Sequence, residues 1–362
     1  MREEVVRDIL VKTGNVVVVM AVGLLIGGLI MNAYGYNALH AYYSLLKHSI
    51  GNPFVDVYPL TSTLSFATPL IFTGLAFAVS VRSGLFNIGV ENAVYLGALG
   101  MILASGVIRD DTFLVLVVGC LLGLGLSISF SLVAASLKVF RGVHEVITTI
   151  MLNWVAFWFV EYVRVNVFPD PIDPSKTVVV PPSARIPILI KYTELSTAFI
   201  IALLASFVTY FVLWRTVIGY ELRAVGISLV AARYAGMKTS HLMIFSFLFS
   251  AVLGGLAGVC EITGRPPHYA ITTAASNLVG LGFDGIAVSL IGLNHPIAVV
   301  PAAILVGALN AGVRGMQIEA GVPFELVRLV QGVIVVSLAV PGALSTIQKY
   351  LSIMRGRKEV VS

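Results

Sequence analysis

Few side chains in this sequence are suited to chemistry, and they sit where polar groups are costly. Asn87, Glu91 and Asn92 interrupt one long apolar run. Glu145, Asn153 and Glu161 interrupt another, Glu261 a third, Asn277 and Asp284 a fourth, and Arg328 with Gln331 a fifth. A charge at the centre of a bilayer costs about 2.5–3.5 kcal/mol on insertion scales, so such side chains must face a bundle interior or water. Two roles fit them. They line a polar pathway, for which Asn87, Glu91, Asn92, Asn153, Asn277 and Asp284 are the candidates, or they cap broken helices and pair with one another. Arg82, Glu145 and Glu161 lie near enough to the ends of their runs to be interfacial. Bond-making chemistry is not indicated. The sequence holds no HExxH, P-loop, paired-cysteine or GxSxG pattern. Its 6 histidines are dispersed without metal-ligand spacing, so no metal site is expected. Cys120 and Cys260 fall inside apolar runs and read as small core residues. The expectation is a transport protein rather than an enzyme. A transporter without a nucleotide fold draws on an ion gradient or borrows an ATPase.

Membrane helices are what can hold such residues in place. Hydrophobic residues make up 58% of the chain and charged residues 11%, with a mean hydropathy of +0.96. A soluble domain carries about 25% charged residues, so a soluble globule is excluded. The net charge of +5 does not point to nucleic acid, because the basic residues sit at span ends. A span needs about 20 apolar residues. The pattern predicts an all-α polytopic membrane protein with about ten spans, at 14–36, 60–81, 85–108, 112–137, 146–167, 195–214, 242–263, 275–293, 297–313 and 324–340. Residues 1–13 and 343–362 are read as cytoplasmic tails flanking a transmembrane domain over 14–342. The first tail mixes acids and bases and runs directly into a full-length span, with no cleavable signal apparent. Residues 37–59 read as a semi-polar interfacial stretch. Residues 168–194 hold Pro169, Pro171, Pro174, Pro181, Pro182 and Pro187 and are expected outside as an ordered, largely extended loop.

One interruption is different in kind. Residues 215–241 carry Arg215, Arg223, Arg233, Lys238 and His241 against a single acid, Glu221. The positive-inside bias assigns this segment to the cytoplasm, and most Lys and Arg of the chain fall on the same face. A short helix over 220–225 is expected to break at Gly226. Ser228 offers the N-cap of a second helix over 229–234, with Gly236 as its stop. Such a folded loop is either a docking surface or a connector whose charges fix topology. Residues 74–99 and 255–293 are distantly alike. Each holds a Gly-Leu-Ala, a polar break and a glycine-rich span with a buried acid, and the two cross in opposite senses, as inverted repeats of transporters do.

Four segments carry a family resemblance. They are TGLAFAVSVRSGLFNIGVENAVYLGALG (73–100), GVHEVITTIMLNWVA (142–156), GYELRAVGISLVAARYAGM (219–237) and GFDGIAVSLIGLNHP (282–296). In this order they resemble the permeases of bacterial ABC importers, in the family that includes branched-chain amino acid and ribose permeases. The nearest branch is the nucleoside, simple-sugar-like one that works with basic-membrane-protein lipoproteins. The resemblance implies a permease subunit in the bacterial plasma membrane and a pathway for a small polar solute, most simply a nucleoside. It implies a cytoplasmic ABC ATPase that binds the ATP and magnesium this chain does not, an external solute-binding lipoprotein and a second, different permease chain. It also implies that the basic loop carries a coupling helix, docked through Gly219, Glu221, Leu222, Arg223, Ala224 and Gly226. Ser228 stands where the family often has Asn, with capping ability retained. Asn92-Ala93 stands where the branch usually shows Gly-Gln, which leaves the substrate open between nucleoside and simple sugar. An ion-coupled transporter using Glu91, Asp284 and Glu261 is the alternative from another class.

Overall fold

A computed structural model describes residues 21–52, 56–108 and 111–337. The expected tails at 1–13 and 343–362, the start of the first span and the turn at Arg109-Asp110 lie outside the described residues. Every named element is helical, and extended backbone pairs only in isolated bridges such as Pro169 with Thr177 and Lys176 with Thr272. Among the described residues, 7 helices are long and apolar enough to cross a membrane. They are α3 (Tyr58–Arg82), α4 (Val90–Val107), α5 (Leu114–Arg141), α6 (Glu145–Asn166), α7 (Ala198–Arg215), α10 (Thr239–Gly264) and α12 (Pro296–Ala320). The shorter helices are α1 (Ala21–Ala33), α2 (Ala38–Ser49), α8 (Val217–Ile227), α9 (Leu229–Tyr234), α11 (Leu281–Ile291) and α13 (324–337).

The differences from the sequence expectation have local causes. Residues 38–49 form α2 because Asn37 caps it, accepting a hydrogen bond from the His40 N–H at 3.1 Å. The third span starts at Val90, since 85–89 is irregular backbone. The eighth is not one helix: residues 265–280 carry turns and a short 3₁₀ segment, and only Leu281–Ile291 is α-helical. The 168–194 loop mixes extended stretches with bends, turns and a 3₁₀ segment, Pro182–Ala184. Its Thr177, Val180 and Ile186 N–H groups donate to the carbonyls of Ile271, Tyr269 and Thr263, each at 2.9 Å.

The chain divides into two compact units. In the one built from both ends of the chain, Lys47 on α2 pairs with Glu319 at 2.6 Å, Tyr42 donates to the Leu24 carbonyl, and Gln331 donates to Asn310. The other, 53–308, holds every candidate site residue. Its centre is α3, α4 and α10, with Phe72, Phe77 and Phe247 fully buried. The helix α11 packs on α3, while α4 packs on α10 and α5. Helix α5 turns Gly119, Gly123, Ser127 and Ser131 inward and leaves Leu121, Leu132 and Phe140 exposed, as a helix with lipid on one side does. Where α4 crosses α10, a Cβ on Gly97 would overlap the Gly255 carbonyl oxygen, so the backbones touch there.

Gly97→Leu should therefore force α4 off α10 and abolish a monodisperse peak in detergent, since even ordinary overpacking costs about 1–3 kcal/mol. Gly125→Ala on the open face of α5, where a Cβ meets nothing within 4 Å, should leave the peak and the melting temperature unchanged or slightly higher. Size-exclusion chromatography with thermal unfolding reads both.

Candidate functional site

Two backbone breaks interrupt the helices of the 53–308 unit, and the candidate polar residues gather around them. The first break is 83–89, between α3 and α4. Asn87 Oδ1 accepts from the Gly89 N–H at 2.9 Å, and its amide donates to Ser250 on α10 at 3.1 Å. Asn153 on α6 donates to the Ile88 carbonyl at 3.1 Å and accepts from Asn92 Nδ2 at 2.9 Å. Ser83 and Ser246 share a hydrogen bond of 2.6 Å. Asn87 and Asn153 thus supply partners for a stretch of chain that has left the helical ladder, and Asn92 holds Asn153 in place.

The second break, 265–280, is tied to the first by Glu91. This carboxylate is 1% exposed. It accepts from the Gly280 N–H at 2.7 Å through one oxygen and the Gly282 N–H at 2.6 Å through the other. Tyr95, one turn along α4, donates to it as well. Gly280 has φ +90°, a left-handed conformation that points its N–H at the carboxylate at little steric cost. Glu91 is therefore the N-cap of α11, supplied from another helix. Both of its oxygens face the positive end of the α11 dipole. Asp284 adds a second carboxylate in the first turn of α11. Asn277 acts within its own loop, accepting from Thr272 and donating to the Ala270 carbonyl at 3.0 Å. The six sequence candidates thus divide: Asn87, Asn92 and Asn153 bond the first break or one another, Glu91 caps α11, Asn277 lies in the second break and Asp284 in the first turn of α11.

By position alone Glu161 reads as interfacial, yet its carboxylate works inside the unit. It accepts from the Ala275 N–H at 3.0 Å and pairs with Arg164 at 2.9 Å, fastening the second break to α6. Near the other end of the break, Arg265 pairs with Glu261 at 3.0 Å and lies over the Phe66 ring, and Tyr58 donates to Glu194 at 2.9 Å.

The basic stretch forms a helical pair, with two changes from expectation. Helix α8 starts at Val217, because Thr216 accepts from the Gly219 N–H at 3.1 Å. It also runs through Gly226 to Ile227. Gly226 does not break the helix; it permits a close approach, since a Cβ there would overlap the Arg82 carbonyl oxygen. Gly219 does the same against α7, where a Cβ would overlap the Val212 carbonyl oxygen. Leu222 is buried, whereas Glu221, Arg223 and Ala224 are partly exposed. Ser228 caps α9 as expected, accepting from the Ala231 N–H at 3.3 Å, and Gly236 follows it at φ +81°. The pair exposes Val217, Tyr220, Ile227, Val230 and Tyr234.

Behind α8 lies a cluster whose members no sequence pattern joins. Trp214, at the end of α7, has Arg82 and Arg223 over its ring at 5.4 and 5.3 Å and His295 at 4.7 Å between ring centroids. Burial, and then the nearby Arg82, hold the His295 imidazole below its ordinary pKa, so it is neutral at pH 7.

Removing the Glu91 carboxylate should expose how much rests on it. Glu91→Ala strands two buried N–H groups, each worth about 1–3 kcal/mol, and should lower the thermal unfolding midpoint sharply. Glu91→Gln keeps one carbonyl acceptor and should fall between the alanine variant and the wild type. An unchanged midpoint in both would show that α11 is held some other way.

Most of the chain is similar to known proteins. Residues 60–339 match the family described as branched-chain amino acid transport system / permease component. The guanosine ABC transporter permease protein NupP of Bacillus subtilis (strain 168) is 35% identical over 325 residues, covering 89% of this chain and 91% of that protein. The nucleoside ABC transporter permease protein NupB of Lactococcus lactis subsp. cremoris (strain MG1363) is 31% identical over 88% of each chain. The glucose ABC transporter permease protein TsgB13 of Haloferax volcanii is 28% identical, covering 90% of this chain and 86% of that protein.

Proposed function

The chain belongs to the branched-chain amino acid transport system permease family, and from that premise we propose that it forms, with a second permease chain, the path of a nucleoside through an ATP-binding-cassette importer. It is a multi-pass membrane protein and a transport subunit rather than an enzyme. On this reading the bacterial plasma membrane is its location. A partner ATPase binds ATP and magnesium on the cytoplasmic side, and an external binding lipoprotein delivers the solute.

The observation that carries the reading is the α8–α9 pair. It is capped at both starts, seated on backbone through Gly219 and Gly226, and presents apolar side chains outward. A stiff, exposed, basic helical pair suits docking to a separate chain, whereas a connector that only fixed topology would need neither the caps nor the close seat. With α8–α9 in the cytoplasm, both termini are cytoplasmic and the 168–194 loop is external. The two helix–break–helix units, α3 to α4 and α10 to α11, then run in opposite senses as inverted repeats. Asn87, Glu91, Asn92, Asn153, Asn277 and Asp284 frame the path by fixing the breaks beside it. An ion-coupled mechanism has less support, because Glu91 is engaged by two backbone N–H groups and Glu261 by Arg265.

The nucleoside assignment draws on the guanosine and nucleoside relatives, and the glucose relative keeps a simple sugar as the second reading. The test is uptake of labelled guanosine into vesicles holding this chain with its co-encoded partners, competed with unlabelled glucose. Uptake should require internal ATP, ignore glucose and be lost in Arg223→Glu with the complex still assembled. Uptake blocked by glucose would reassign the substrate. Uptake that ignores ATP and collapses with an ionophore would overturn the importer.

A further inference from the structure

The short helix α11 is held by a side chain at both ends, and the two side chains come from the flanks of a single break. Glu91, just after residues 83–89, caps its N-terminus. Arg82, just before them, caps its C-terminal turn. The Arg82 guanidinium donates through Nε to the Asn294 carbonyl and through Nη2 to the Leu293 carbonyl, each at 2.9 Å. Those carbonyls belong to residues in the left-handed region, both at φ +53°. A non-glycine pair in that conformation needs outside support. Ser289 supplies some of it, donating to Asn294 Oδ1 at 2.9 Å, and Arg82 supplies the rest.

The same Arg82 touches the basic helical pair. Its guanidinium lies over Trp214, whose ring also carries Arg223 of α8. Its carbonyl lies where Gly226 of α8 has no side chain. Gly84, at φ +76°, turns the chain immediately after this contact, and a Cβ on it would sit 3.1 Å from the Gly226 Cα. One residue therefore contacts α8 through its backbone, Trp214 through its side-chain face and the α11 turn through its N–H groups. Arginine suits the place because its planar guanidinium stacks on an aromatic ring while still donating in plane, which a lysine ammonium does not do.

We propose that Arg82 is a positioning residue for transport, the joint through which displacement of α8 moves the inner turn of α11 and hence the second break. The inference rests on the reading of α8–α9 as the docking surface for an ATPase. Trp214 is the bearing on which Arg82 and Arg223 meet. A shift of α8 moves Arg82 because Gly226 leaves no gap, and α11 follows because the Leu293 and Asn294 carbonyls, in the turn directly after it, are bound to that guanidinium.

The test reconstitutes the full importer with partner ATPase and binding protein, and measures solute uptake and ATP hydrolysis in the same vesicles. Arg82→Ala should keep hydrolysis near the wild-type rate while uptake falls at least about tenfold, the size of one lost charge-assisted hydrogen bond. Arg82→Lys should recover part of the uptake per ATP. Trp214→Leu, which keeps an apolar side chain but removes the ring, should uncouple in the same direction, and both carry the test where Arg82→Ala fails to assemble. Uptake and hydrolysis falling in equal proportion, or an unchanged ratio in all three variants, would overturn the joint. A wild-type complex with no ATP-dependent uptake would instead overturn the importer reading beneath it.

Discussion

An eleven-residue helix cannot cross a bilayer. At about 1.5 Å per residue, α11 spans roughly 17 Å of a core near 30 Å thick. Its first N–H groups have no helical partner, whereas its last carbonyls are taken up by the turn that follows: Val288, Ser289 and Leu290 accept from the N–H groups of Gly292, Asn294 and Leu293. The protein meets this with a carboxylate at the N-terminal end of the helix, and it fastens the turn beyond the other end with a guanidinium on the Leu293 and Asn294 carbonyls, an arrangement that the helix dipole favours. Much of the interior of the 53–308 unit depends on it. Because Glu91 and Arg82 flank one break, that break must itself be rigid, and Asn87, Asn153, Ser246 and Ser250 make it so.

Buried polar groups in this protein are thus satisfied by backbone more than by one another. Glu91, Glu161, Asn87, Asn153 and Asn277 each bond main-chain groups that a continuous helix would have paired internally. A transporter gains from such a design. Irregular backbone beside a pathway offers carbonyls and N–H groups to a passing solute, and side chains that fix the irregularity keep it from collapsing into a helix. Small residues at α4, α5 and α10 serve the same end by bringing backbones close enough for short side chains to bridge them.

Features set by periodicity and capping are legible in the sequence. Seven of the ten expected spans stand as long apolar helices among the described residues, and Ser228 and Gly236 take the conformations their residue types favour. The sequence misleads where one residue type has two uses. Gly226 reads as a helix breaker, but in the folded chain it permits contact with the Arg82 carbonyl, a partner far away in sequence that no local pattern reveals. The run 275–293 is apolar enough to pass for a span, because hydropathy does not register that Gly280 has a positive φ or that an acid on another helix awaits its N–H. Glu161 lies near a span end, and position does not show that it bonds the Ala275 N–H. Trp214 carries no signal of its own, since an aromatic at the end of a span is ordinary.

If Arg82 is the joint, α8 and the inner turn of α11 move as one mechanical body. Spin labels at Ile227 and Leu293, 87% and 56% exposed, report on its two sides. Their separation would be measured in the assembled importer without nucleotide and with ATP trapped, alongside a reference pair at Ile227 and Phe140. The Ile227–Leu293 distance should keep its mean while the Ile227–Phe140 distance changes. An Ile227–Leu293 distance that changes as much as the reference would contradict the joint and leave α11 to be moved by something other than the docking helix.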